Sequence, residues 1–81
     1  MTVLFAEGVP EVFAELTREV QQQAARRIEL LSKFPRMYPV RRRELMSGYR
    51  YFMAERYLFY YSISSAEVRI AAIIPAAMRR A

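Results

Sequence analysis

Hydrophobic positions recur along this chain with two different periods, and the change between them divides it in half. Between residues 18 and 34 the apolar residues Val20, Ala24, Ile28 and Leu31 are spaced four, four and three apart, the pattern of a helix with one buried face. Gln21, Gln22, Arg26, Glu29 and Lys33 fill the remaining positions, and Glu29 precedes Lys33 by four residues, a favourable pair on a helix surface. Pro35 marks the end of this helix. Upstream, Thr2–Ala6 is short, apolar and partly β-branched and predicts an opening strand. Gly8 breaks it, and Pro10 suits the first turn of a short helix, where its missing N–H is harmless. Glu11 and Glu15 fall near the start of that helix, where carboxylates complement the dipole, and Val12, Phe13 and Leu16 form its apolar stripe. Thr17 is placed as a junction or an N-cap of the longer helix.

From Leu45 the period becomes two. Leu45, Tyr49, Tyr51 and Met53 share one face of a strand, and Arg50 and Phe52 share the other. A tight turn fits around Ala54–Arg56. Tyr57–Ser64 predicts the next strand, with Phe59, Tyr61 and Ile63 on one face and Leu58, Tyr60 and Ser62 opposite. Ser64–Ala66 turns the chain again. Glu67–Ile74 then alternates Val68, Ile70, Ala72 and Ile74 against Glu67, Arg69, Ala71 and Ile73, until Pro75 stops it. Tyr49, Tyr51 and Tyr61 are assigned to the core; Phe52, Leu58, Tyr60 and Ile73 are assigned to the opposite, open face. The expected fold class is α+β, one domain over residues 1–81: an N-terminal strand, a two-helix hairpin and a three-strand antiparallel meander. Short turns make the last three strands antiparallel, and so apolar a sheet needs the helices packed on one face.

Composition narrows the chemistry. With 81 residues, 54% of them hydrophobic, the chain builds one core of modest stability. It has neither cysteine nor histidine, which removes thiolate and imidazole metal sites, thiol nucleophiles and the commonest general base. No metal or other cofactor is expected. The acidic residues are all glutamate, and every basic one except Lys33 is arginine, for a net charge of +5. That field favours an acidic protein or a nucleic acid as partner, or a weaker association with a membrane surface. No apolar run approaches the ~20 residues that cross a bilayer, and the first residues lack a signal peptide's pattern, so a cytoplasmic protein without a membrane partner is expected.

The stretch Ser47–Ile63, SGYRYFMAERYLFYYSI, resembles the RelE/ParE toxin family, in which a Gly-Tyr-Arg strand, a turn and an aromatic-rich strand follow a helical hairpin. The helix ending LLSKFP before a basic loop, and the closing VRIAAIIPAAMRR, are similar to that family too, so the resemblance runs over nearly the whole chain. It implies the toxin half of a type II toxin–antitoxin pair, neutralised by a cognate acidic antitoxin in a toxin–antitoxin hetero-oligomer. Ribonuclease-type members cut mRNA on the ribosome with basic residues on the open sheet face and a C-terminal Tyr or His. ParE-type members lack that set and inhibit DNA gyrase.

Arg50 matches the basic residue of the strand after the loop. Phe52 and Leu58 stand where the ribonuclease branch carries further basic residues, and no Tyr or His follows Arg79 and Arg80. Without histidine, acid–base work would fall to Tyr60, Glu67 or an arginine. The resemblance therefore implies ParE-like inhibition of gyrase. A ribosome-dependent mRNA endonuclease, with Arg50, Tyr60, Arg79 and Arg80 as catalytic candidates, is the alternative, and a non-toxic basic binding module the third. Candidate residues for target or antitoxin binding are Arg41, Arg42, Arg43, Arg50, Phe52, Leu58, Tyr60, Arg69, Met78, Arg79 and Arg80. For the arginine run and for Arg50 with Arg69 on the open face, a docking role and an ordinary solvated surface are both open readings.

Overall fold

The computed structural model describes residues 1–42 and 46–78. Strand β1 (Thr2–Phe5) leads through Gly8, whose φ of 87° few side chains tolerate, into helix α1 (Val9–Ala14). Pro10 lies in the first turn of α1, as its fixed φ allows. Helix α2 (Arg18–Lys33) is capped by Thr17, whose Oγ1 accepts from the Val20 N–H at 3.3 Å. Gln21 Nε2 donates to the Phe13 carbonyl at 2.8 Å and joins the two helices. Strands β2 (Arg50–Ala54), β3 (Tyr57–Ile63) and β4 (Glu67–Pro75) follow, and a 3₁₀ turn over Ala76–Met78 ends the described chain.

The sheet has four strands in the order β1-β4-β3-β2. The last three form the expected antiparallel meander, while β1 crosses over to pair parallel with β4, Thr2 opposite Glu67 and Phe5 opposite Ile70. Helix and sheet close on one core. Val9, Val20, Ala24 and Leu31 meet Phe52, Ala54, Phe59, Tyr61, Val68 and Ile70 there. Phe59 is its hub: it stacks on Phe52 with centroids 4.9 Å apart and receives Phe13 edge-on at 6.4 Å. Among the described residues no helix is long and apolar enough to cross a membrane.

Two strands present faces other than those expected. In β2, Phe52 is buried against Phe59, and Tyr51 and Met53 point away from the helices. The β2–β3 turn holds two residues, Glu55 and Arg56, with Ala54 opposite Tyr57 and Glu55 at φ 54°. A turn one residue longer would have exchanged the faces. In β4 a bulge shifts the register between Tyr60 and Tyr61: Ile70 lies opposite Tyr61, but Ala72 lies opposite Tyr60. The extra residue, Ala71, reverses the alternation. Ile73 therefore packs toward the core, while Ala72 and Ile74 face away. The core assignment of Tyr51 and the open-face assignments of Phe52 and Ile73 are corrected accordingly. Tyr61 is buried in the core as expected. Strand β2 also starts at Arg50, and Leu45 lies outside the described residues.

Candidate functional site

Away from the helices, the sheet carries Tyr51 and Met53 from β2, Leu58 and Tyr60 from β3, Arg69, Ala72 and Ile74 from β4, and Leu4 from β1, as the registers place them. Its centre is closed. Leu58 is 0% exposed and Tyr60 2%, each flanked by strand neighbours on both sides. The Tyr51 and Tyr60 rings meet at 5.9 Å. Tyr60 is thus a cross-strand packing residue and offers no free ring for base stacking. Exposed apolar surface lies at the margins of this face, on Met53 at 42% and Leu4 at 38%.

Arg50 does not join this face. It shares the helix side with Phe52, where its Nη1 donates to the Tyr38 carbonyl at 2.7 Å and, more distantly, to the Arg36 carbonyl at 3.4 Å. Arg69 lies on the other face, exposed, and pairs with Glu67 at 3.4 Å. The expected open-face patch of Arg50 with Arg69 is therefore not formed, because the shifted β2 register carries Arg50 to the opposite side. Arg50 instead acts as a clamp on the loop that follows α2.

That loop is held at several points. The Tyr61 hydroxyl donates to the Pro35 carbonyl at 2.8 Å, Arg27 Nη1 donates to the Tyr38 hydroxyl at 3.2 Å, and the Tyr38 ring packs on Phe52 at 5.4 Å. Residues 39–41 then run beside 49–51, with Arg41 N–H bonded to the Tyr49 carbonyl at 2.6 Å and Tyr51 N–H to the Pro39 carbonyl at 3.1 Å. Gly48, at φ 92°, closes this excursion through its N–H to the Arg41 carbonyl at 2.7 Å. Arg41 is half-buried and Arg42 is exposed; Arg43 lies outside the described residues. Met78 ends the 3₁₀ turn, which begins where Ala76 N–H bonds the Arg56 carbonyl, at the other end of β2 from Arg41 and Arg42. Arg79 and Arg80 lie outside the described residues.

Burial raises the Tyr61 phenol above its ordinary 10.0, and the Arg50 charge works in the opposite direction. A phenol whose folded value is raised stabilises the fold throughout the range below its unfolded value. That contribution is lost as pH rises through the folded value, so Tyr61 contributes to alkaline unfolding above pH 10. Tyr61→Phe is expected to cost about 1 kcal/mol at pH 7, through the carbonyl left unpaired. The gap from the parent should narrow above pH 10. Urea unfolding of both proteins at neutral and alkaline pH measures this, and a gap constant with pH would show that Tyr61 is not the titrating group.

Three contributing residues escaped the sequence reading. Gln23 reads the β2–β3 turn, accepting from the Glu55 N–H at 2.7 Å and donating to the Glu55 carboxylate at 3.4 Å. Tyr38 fills the gap between α2 and β2. Arg27 was detectable, because residues 20, 24, 27 and 31 form a helical stripe as regular as the one built on Ile28. A hollow of about 400 Å³ at the start of α2 is rimmed by two carboxylates, Glu19 and Glu55, and one guanidinium, Arg56, a net negative rim that does not suit a phosphate. Among the described residues the ribonuclease candidates are not gathered, since Arg50 is on the helix side and Tyr60 and Glu67 are on the other. The sequence matches no family model, and a search of curated proteins finds no significant match.

Proposed function

We propose that this chain is a RelE/ParE-like toxin that acts in the cytoplasm by binding, as ParE-type members do, with DNA gyrase as target and an acidic antitoxin as its neutralising partner. The strand–helix–helix–meander order supports the fold side of this reading. One observation carries the choice of branch: among the described residues, the ribonuclease candidates Arg50 and Tyr60 are taken up in the fold's own bonding and packing. Phe52 and Leu58 are buried, Tyr60 is 2% exposed, and Arg50 Nη1 donates to loop carbonyls on the helix side. Cleavage by 2′-hydroxyl attack needs a base, an acid and a cation converging on one phosphate. The separation of these side chains across two faces supports inhibition without catalysis.

Expression of the chain alone is expected to arrest growth, and co-expression of an acidic protein encoded beside it to relieve the arrest. Purified protein should block supercoiling by gyrase while leaving ribosome-bound mRNA intact. Ribosome-dependent cleavage with gyrase unaffected would replace this reading with the endonuclease. Normal growth with folded protein accumulating would leave a basic binding module and end the toxin reading.

A further inference from the structure

Strand β2 has an edge that the fold leaves half finished. Residues 39–41 cover its first part, but the pairing stops at Pro39, which has no N–H to offer the Tyr51 carbonyl. The preceding carbonyls, of Arg36 and Tyr38, turn instead to the Arg50 guanidinium. Since the Tyr51 N–H points outward to Pro39, the antiparallel alternation points the Met53 N–H and C=O outward as well. Met53 is an edge residue with an exposed side chain. The open stretch beside residues 52–54 is bounded by Pro39 at one end and by the Gln23–Glu55 hydrogen bonds at the other.

Arg27 borders this stretch on the helix side. It follows Gln23 by one helical turn, and its Nη1 reaches the hydroxyl of Tyr38, whose ring lies on Phe52. Its Nε is buried without a hydrogen-bond partner, and among the described residues no carboxylate pairs with it. A half-buried arginine in line with the apolar stripe of a helix, its Nε unpaired, is an uncommon arrangement. A residue of an added strand that faced the helices would project toward it.

We propose that the free edge of β2 binds a short, extended, acidic segment of a partner protein, which adds a strand at Met53 and sets a carboxylate on Arg27. Backbone pairing supplies the docking and the guanidinium supplies the choice of side chain. A second copy of this chain is the poorer occupant, because pairing two such edges brings Arg27 toward Arg27 in a protein that already carries +5. The proposal stands apart from the toxin reading: growth arrest decides that one, and the behaviour of Met53 decides this one.

The test titrates isotope-labelled full chain with a capped peptide, Thr-Val-Glu-Val-Thr, and with its twin carrying Gln in place of Glu. The Met53 amide should shift and exchange its hydrogen more slowly with the first peptide, and the twin should bind about tenfold more weakly. Arg27→Gln keeps a donor for Tyr38 and should erase that preference. If this variant does not fold, the two peptides on the parent chain still decide the matter. Equal binding of both peptides, no binding by either, or perturbation of β1 with Met53 unchanged overturns the proposal. So does a concentration-dependent dimer that protects Met53 without peptide.

Discussion

Phe59→Ala is expected to remove most of the stability of this protein. The ring has no exposed surface and joins Phe52 of the neighbouring strand to Phe13 of the first helix, so sheet and helix layer meet on it. Truncating a buried phenylalanine to alanine costs about 3–5 kcal/mol. A chain of 81 residues has on the order of 4–12 kcal/mol in total, at the usual stability per residue. Its thermal midpoint should fall by more than about 12 °C, if a transition survives at all. Circular dichroism melts of the parent, Phe59→Ala and the exposed control Met53→Ala decide it. A loss below about 1 kcal/mol would show that Phe59 is not the tie between the layers.

Leu58→Arg should be almost as damaging, and it bears on function. This substitution installs the basic residue that a cutting member of the resembling family carries at the corresponding place. Leu58 is fully buried near the start of β3, between Met53 and Ile74 of the neighbouring strands. The change removes about 2 kcal/mol of apolar burial and adds a charge without a partner, for a cost of about 3 kcal/mol or more. Met53→Arg, on the same face but exposed, should stay within about 0.5 kcal/mol of the parent. Urea midpoints of the two variants measure the contrast. Equal tolerance at both positions would mean that the face is open at Leu58, and the endonuclease reading would regain its surface.

How far the sequence could be read depended on whether neighbouring residues or distant ones set each feature. The Val20, Ala24, Ile28 and Leu31 spacing located α2 to within a residue at its C-terminal end, and Thr17 caps it as expected. The period of two located β3 and β4 in the same way, from Tyr57 and Glu67 onward. Which face each strand would bury was harder to read. In β2 both alternations are apolar, Tyr51 with Met53 against Phe52 with Ala54, so hydrophobicity could not choose and the two-residue turn did. In β4 the run Ile70–Ile74 is apolar throughout, which hides a bulge from any pattern of polar and apolar positions. The site suffered most, because Arg50, Phe52 and Ile73 changed sides together. Arg27 and Tyr38 drew their meaning from the closing of the loop onto β2, a contact between distant parts of the chain that no local spacing encodes.

The parallel pairing of β1 with β4 orders events in time. Thr2 finds its partner in Glu67 and Phe5 in Ile70, so β1 leaves the ribosome more than sixty residues before the strand it pairs with. Such distant contacts slow folding, because a long loop must close before the contacts that stabilise it form. During that wait the aromatic strand β3 also lacks its β4 neighbour and presents Leu58 and Tyr60 to solvent beside an open backbone edge. A nascent chain halted short of residue 67 would be adhesive, with no route to the native fold. Synthesis rate and chaperone supply should therefore govern the yield of this protein more than its final stability does.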